Sequence, residues 1–316
     1  MPKVLVTGCA GFIGSHLTER LLHEGNHVTG IDCLTDYYSA DIKKNNMKAF
    51  SGNRDFTFAK KDIMDIDVKP LLKDCECVFH LAAQPGVRAS WGESFGIYAR
   101  NNILVTQRLL EGCKDSGISK FIFSSSSSVY GDVDELPIKE EAPSRPLSPY
   151  GVTKLAAENL CLLYFKNYGV PAVSLRYFTV YGPRQRPDMA FQIFISSMLQ
   201  GRQISIFGNG SQTRDFTFVS DAVNANVLAM KNGRNGEIYN IGGGSRISVD
   251  EVIKILEEIT GKRAQVSYKE NQKGDMKDTY ADIKKSLREL KYRPQVNIRS
   301  GLTEMVNYAK NMLCPD

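Results

Sequence analysis

Tyr150 and Lys154 stand four residues apart in Ser148-Pro149-Tyr150-Gly151-Val152-Thr153-Lys154. On a helix, that spacing puts both side chains on one face. A phenol held beside an ammonium ionises more easily, because the positive charge favours phenolate. A tyrosine tuned this way can take and return a proton near neutral pH. The same spacing also occurs on ordinary solvated helix faces, so it points to chemistry only in company. Upstream, Phe123 leads into Ser124-Ser125-Ser126-Ser127-Ser128-Val129-Tyr130-Gly131. The run follows an apolar strand, so its hydroxyls belong at the carboxyl end of a sheet, where ligands bind in open α/β folds. A plain serine-rich loop is the competing description.

Thr7-Gly8-Cys9-Ala10-Gly11-Phe12-Ile13-Gly14 ends one predicted strand and opens a predicted helix. Glycines there let the backbone turn tightly and approach a pyrophosphate, whose charge the helix N-terminus stabilises. The spacing is GxxGxxG, one residue longer than GxGxxG. A strand-to-helix turn with incidental glycines would look similar. Asp32 closes the next predicted strand, 18 residues after Gly14. A carboxylate at that point accepts hydrogen bonds from an adenosine ribose and repels a 2′-phosphate. No Arg or Lys follows it closely, so NAD is favoured over NADP. A cationic nicotinamide near Tyr150 would add a second charge favouring phenolate.

Apolar runs at Val4–Thr7, His27–Ile31, Cys77–Leu81, Phe121–Ser125 and Ala172–Arg176 alternate with helix-like segments. Ile13, Leu17 and Leu21 repeat at helical spacing, and Gly25 is a stop for that helix. Such alternation predicts an α/β fold, a parallel sheet with helices on both faces. The later half is turn-rich at Gly182-Pro183, Gly208-Asn209-Gly210 and Gly242-Gly243-Gly244, with amphipathic segments at Val249–Thr260 and Ile298–Met312. It reads as a smaller lobe covering a ligand. The expected division is 1–180 for the NAD-binding part and 181–316 for the ligand-covering lobe, with an interleaved boundary.

The 316 residues suffice for a sizeable core. A net charge of +5 suits an anionic ligand but is too small and too evenly spread for nucleic acid. Seven scattered cysteines (Cys9, Cys33, Cys75, Cys77, Cys113, Cys161, Cys314) show no metal-ligand spacing and read as free thiols in a reducing compartment. No basic-then-apolar leader and no membrane-length apolar run is visible. The expected protein is cytoplasmic, without metal, membrane or nucleic-acid partner.

Together these pieces resemble the extended short-chain dehydrogenase/reductase family, in its NAD-dependent nucleotide-sugar epimerase branch. The carriers are Thr7–Gly14, Asp32, Asp62-Ile63, His80-Leu81-Ala82-Ala83, Asn102, the serine run, Tyr150 with Lys154, and Arg176-Tyr177-Phe178-Thr179-Val180-Tyr181-Gly182-Pro183. They span nearly the whole chain. The resemblance implies a Rossmann-type doubly wound sheet with a C-terminal substrate lobe. It assigns Ser126, Tyr150 and Lys154 to catalysis. To the cofactor it assigns Gly8, Gly11, Phe12, Ile13, Gly14, Asp32, Asp62, Ile63, Leu81, Ala82, Ala83, Asn102 and Tyr177, besides Tyr150 and Lys154. Val105 replaces the glycine that the family has three residues after Asn102, so helix packing there is expected to differ.

Members of this group oxidise a sugar C4 hydroxyl. The 4,6-dehydratases carry an Asp-Glu pair directly after the catalytic Ser/Thr. Here Ser127 and Ser128 occupy those positions, so dehydration is disfavoured. Neutral-sugar 4-epimerases often have Asn where this chain has Thr179. The stretch Arg186-Pro187-Asp188-Met189-Ala190-Phe191 is similar to UDP-glucuronate 4-epimerases. Ser127, Ser128 and Thr179, with one Arg, would hold a C5 carboxylate by charge-assisted hydrogen bonds. Arg186 is the first candidate, which could instead serve the diphosphate. Arg88, in Gln84-Pro85-Gly86-Val87-Arg88, is the second. A surface Arg fits either position equally well. Gly86, Met189, Ala190, Phe191, Phe207, Arg214 and Asp275 match substrate positions of relatives, the last six toward uridine and diphosphate. Relatives often carry Arg three residues before Asp275, and this chain has Gln272.

The implied activity is 4-epimerisation of a UDP-hexose, UDP-glucuronate to UDP-galacturonate. The rivals are a UDP-glucuronate decarboxylase and a UDP-glucose or UDP-N-acetylglucosamine 4-epimerase. A non-catalytic NAD sensor is the reading from another class, and retention of both Tyr150 and Lys154 argues against it. Relatives pair the helix after Tyr150 (Leu155, Ala156, Leu160, Leu163, Tyr164) with that near Ile103–Leu110 in a homodimer contact. Burial within one subunit would give the same pattern.

Overall fold

Alternate residues of a strand face opposite sides of a sheet, and the first strand shows the consequence. Val4 and Val6 join one hydrophobic core while Leu5 joins another. A strand covered on both faces must be apolar throughout, as in parallel sheets sandwiched by helices. The computed structural model describes residues 1–270 and 272–313. Its strands are β1 (Lys3–Thr7), β2 (His27–Ile31), β3 (Phe56–Ala59), β4 (Cys77–His80), β5 (Lys120–Ser126), β6 (Ala172–Tyr177), β7 (Thr179–Tyr181), β8 (Ile204–Phe207), β9 (Thr213–Phe218), β10 (Ile238–Ile241), β11 (Arg246–Ser248) and β12 (Val266–Lys269).

Seven of these form one sheet in the order β10-β6-β5-β4-β1-β2-β3. Every pairing in it is parallel. The fold is therefore the doubly wound Rossmann type, with β10 added beyond β6. Strand order reverses at β1, whose neighbours are β2 and β4. That crevice is where such folds bind ligands.

The helix Pro149–Tyr168 has clear local causes. Ser148 caps it by accepting a hydrogen bond from the Gly151 amide at 3.1 Å, and Pro149 occupies its first turn. Gly169, at φ +69°, ends it in the left-handed conformation. The smaller lobe holds a three-stranded sheet, β11-β9-β7, a two-stranded pair, β12-β8, and the helices Ala190–Leu199, Val249–Thr260 and Ile298–Leu313.

Residues 219–241 return to the large sheet: the helix Val219–Asn232 packs against the helix Phe12–His23, and β10 pairs with β6. The five expected strands are all present. Not evident from the sequence pattern are β3, whose four edge residues are partly exposed, β10, and the five strands of the smaller sheets, β7, β8, β9, β11 and β12. Six cysteines are free thiols, and Cys314 lies outside the described residues. Among the described residues no helix is long and apolar enough to cross a membrane.

Candidate active site

One cleft lies beyond the carboxyl ends of the central strands, and it is lined by residues from both sequence motifs. On its β1 side Gly8 adopts φ +72°, and its carbonyl accepts from the Gly11 amide at 3.0 Å. A Cβ on Gly14 would sit 2.1 Å from the Gly8 oxygen, so only glycine lets turn and helix pack this closely. The helix Phe12–His23 has no side-chain cap, which leaves first-turn amides free for an anion at its positive end.

Asp32 lies at the end of β2, where it accepts from the Ala10 amide at 3.2 Å and the Leu34 amide at 2.8 Å. Burial pushes its carboxyl up, against the amides and the nearby charge of Lys43. Lys43 is a cation that sequence distance concealed. It stands on the helix Ala40–Met47 and lines the same cleft, its Nζ donating to the Thr35 carbonyl at 2.7 Å. That helix is mostly polar, so periodicity did not mark it. Asp62 and Ile63 line the far end; Asp62 is held by the Met64 amide at 2.9 Å and Arg100 at 2.8 Å.

Leu81, Ala82 and Ala83 line the wall after β4. The Ala82 amide donates to Thr7 Oγ1 at 3.1 Å, and His80 bridges Thr7 and Thr106 at 2.8 and 3.0 Å. Burial, reinforced by Lys154, pushes His80 down to about 3, so it is a neutral strut.

Asn102, expected at the cofactor, instead lies beneath the wall, and its neighbour Asn101 lines the cleft. Its amide is occupied: Oδ1 accepts from Gln84 N at 2.7 Å, while Nδ2 donates to Gln84 O at 3.1 Å and Thr153 Oγ1 at 2.9 Å. Asn102 thus ties the wall to the helix of Tyr150. Replacing it with Ala strands these buried groups and should cost about 1–3 kcal/mol of stability. Chemical denaturation checks this, and an unchanged midpoint and slope would count against it. Val105 also lines the cleft, and the residues before it, Ala99–Leu104, form a π-helical turn.

Tyr150, Lys154, Ser124, Ser125, Tyr177 and Arg186 meet at the opposite end. The Tyr177 hydroxyl accepts from Ser124 at 3.4 Å, and burial pushes its phenol up to about 12. The Tyr150 ring meets Tyr98 edge-on with centroids 6.3 Å apart. The expected lowering of the Tyr150 phenol is not what this protein alone produces. Burial pushes it up, opposed by a hydrogen bond with Ser126 and the charge of Arg186. Lys154 is itself pushed down to about 8 by burial, and its ammonium lies 4.5 Å over the Phe123 ring. Ser126 ends β5 and accepts from the Ser128 amide at 3.1 Å. Ser127 is buried, Ser128 half-buried, and Thr179 half-buried on β7.

The arginines divide. Arg186 faces the Tyr150 end of the cleft and grips Asp188 through two bonds of 3.0 and 3.1 Å; Tyr37 donates to the same carboxylate at 3.1 Å. Arg88, the second candidate for a sugar carboxylate, is elsewhere. It pairs with Asp275 at 2.7 Å and lies 4.3 Å over the Phe207 ring. That places it with the residues expected at the nucleotide. Arg214 does not offer its whole fork to phosphate, because Nη1 donates to the carbonyls of Thr213 and Lys277 at 2.9 and 2.8 Å and Nη2 to that of Met276.

Phe191, expected at the substrate, presents no side chain to the cleft. Its ring is buried against Tyr181 and Phe216, so it is a core side chain. Met189 and Ala190 start its helix, which has no side-chain cap. Gly86 adopts φ +99°, a conformation L side chains rarely take, and a Cβ there would also meet the Tyr37 hydroxyl at 2.5 Å. Tyr37 and Tyr38, both lining the cleft, went unnoticed in the sequence because a loop carries them.

A family model described as the NAD dependent epimerase/dehydratase family matches residues 4–242. Among solved structures, the chain is similar to UDP-glucuronic acid 4-epimerase from Bacillus cereus in complex with UDP-glucuronic acid and NAD. The two share 47% identity over 98% of this chain and 99% of that one, with a TM-score of 0.96. It is 40% identical over 98% of its length to UDP-glucuronate 4-epimerase of Thermodesulfobacterium geofontis, covering 97% of that protein. A UDP-glucose 4-epimerase from Thermotoga maritima, solved with UDP-glucose, shares 36% identity over 99% of this chain and all of that chain, with a TM-score of 0.89.

Proposed function

The chain belongs to the NAD dependent epimerase/dehydratase family, and on that footing we propose that it is an NAD-dependent 4-epimerase of UDP-glucuronate, forming UDP-galacturonate. One observation carries the reading: a proton-transferring phenol, Tyr150, and a cation, Arg186, face the same end of a cleft whose other end is a glycine turn with a bare helix N-terminus.

The residues present fit NAD. The Gly8–Gly14 turn lines the cleft at the uncapped start of the helix Phe12–His23, where a pyrophosphate would meet free amides, and Asp32 offers ribose an acceptor. Gly11, Phe12, Ile13, Ile63, Leu81, Ala82, Ala83 and Tyr177 complete its walls. NAD held there would supply the hydride acceptor and donor that inversion at C4 requires.

The rest falls to the chain. Tyr150 takes the proton from O4 and gives it back. Ser126, its hydrogen-bonding neighbour, steadies the phenolate. Lys154 in its ammonium form favours that phenolate. Arg186 releases Asp188 to hold the sugar carboxylate, with Ser127, Ser128 and Thr179 as hydroxyl partners. A fixed carboxylate resists the loss of CO2 to which a β-keto acid is prone. Phe207, Arg88 and Asp275 hold the nucleotide, with Met189 and Ala190 beside them.

We assign residues 1–180 to the cofactor and 181–316 to the sugar nucleotide, with 219–241 lent back to the large sheet. Leu104, Val152 and Leu163 are exposed on the two helices expected to pair, which supports a homodimer. The free thiols support a cytoplasmic setting.

Incubation with UDP-glucuronate, with products resolved by chromatography and NMR, tests the assignment. UDP-galacturonate is the expected product. A UDP-pentose with CO2 would make the protein a decarboxylase instead, and turnover confined to UDP-glucose or UDP-N-acetylglucosamine would make it a neutral-sugar epimerase.

A further inference from the structure

Tyr150, Lys154 and Glu158 succeed one another at four-residue steps on one helix, so they form a single stripe. Glu158 is buried, and its carboxylate is triply bonded. Arg176 of β6 donates Nε to Oε2 at 3.0 Å and Nη2 to Oε1 at 2.6 Å, and Ser125 of β5 donates to Oε2 at 2.7 Å. Arg176 is fixed in turn by the Glu140 carbonyl at 3.1 Å and the Tyr130 ring at 4.6 Å. Three elements of the site therefore meet at one carboxylate: the helix carrying the base, the strand ending at Ser126, and β6 beside it.

We propose that Glu158 is a positioning residue for the reaction, tying the helix of Tyr150 and Lys154 to the serine strand and supplying an anion one helical turn from the Lys154 ammonium. This rests on the catalytic reading of Tyr150 and Lys154 given above. A buried ion pair is weak evidence of stabilisation, since desolvation opposes the attraction. Its location, one turn from the lysine and one residue from Ser126, gives it a use in the site.

The charged groups around Lys154 are few. Glu158 and Cys161 face it from its own helix, His80 from β4, and Phe123 of β5 presents only a ring. Arg176 approaches through Glu158. Burial lowers Lys154, whereas Cys161 and Glu158 raise it. Without the Glu158 charge, burial is less opposed and Arg176 is left as an unpaired neighbouring cation, so Lys154 should lose its proton at lower pH.

The test is E158Q, which keeps the side-chain shape, in the full-length protein. Lys154 ionisation is followed by NMR of side-chain-labelled lysine, its resonance assigned with Lys154→Met. Expected is a downward move of about one pH unit, with kcat for UDP-glucuronate reduced about tenfold and KM little changed. Should E158Q fail to fold, the double variant E158Q/R176M removes both charges and strands neither. Its Lys154 should titrate below wild type by a smaller amount. A folded variant whose Lys154 titrates as in wild type would overturn the proposal. The NMR arm needs no turnover, so an inactive wild type would sink the proposed function and leave this inference separately decided.

Discussion

Replacing Tyr150 with Phe is expected to lower kcat for 4-epimerisation by about 10²–10⁴-fold, the usual contribution of a positioned acid–base group, while NAD stays bound. The reasoning is local. The substitution removes one hydroxyl and keeps the ring, so its edge-on contact with Tyr98 survives. The cofactor turn at Gly8–Gly14 is built from β1 and the helix after it, and it makes no use of that hydroxyl. What is lost is the group that Ser126 and Arg186 hold toward phenolate against burial. Steady-state kinetics on UDP-glucuronate, with NAD released by denaturation and quantified, separates the two effects. Turnover at the wild-type rate would remove Tyr150 from the mechanism; loss of NAD together with turnover would show that the phenol serves binding.

The second large effect lies at the other end of the cleft. Gly14→Ala should cost about 1–3 kcal/mol or more, the range for overpacking a close-packed site, and should strip the protein of cofactor. The added Cβ would sit 2.1 Å from the Gly8 oxygen and 2.8 Å from the Gly8 carbonyl carbon. These are backbone atoms, which cannot rotate aside. Gly8 cannot retreat easily either, because its amide donates to the Ile31 carbonyl at 2.8 Å and its carbonyl accepts from Gly11. Either the helix Phe12–His23 lifts from β1 or the turn opens, and both move the bare amides away from a pyrophosphate. Thermal unfolding and measured NAD occupancy report on the two consequences. A variant with wild-type midpoint and full occupancy would contradict the packing argument.

These two sites were readable for different reasons. The glycine turn is a contiguous motif whose constraint is local backbone geometry, so eight residues of sequence contain it. The Tyr150–Lys154 pair is contiguous along a helix, whose cap at Ser148 and stop at Gly169 are themselves written in the sequence. Asn102 was noticed but misread, because its residue type shows hydrogen-bonding capacity and not which partners fill it. Arg88 and Arg186 were ambiguous for the same reason: a long flexible cation reaches many places, and only packing decides that one lies on Phe207 and the other grips Asp188.

The amino-acid sequence by itself determined the alternating α/β architecture, the glycine turn after the first strand and the helical pairing of Tyr150 with Lys154, because helix period, strand period and glycine geometry act within a few residues of the chain. Tertiary structure alone decided which charges face one another. Lys43 comes to Asp32 from a separate helix, Arg176 to Glu158 from a separate strand, and burial rather than Lys154 dominates the Tyr150 phenol. Electrostatic effects depend on distance through space and on exclusion of water, and neither quantity is a property of a segment before the chain has closed on itself.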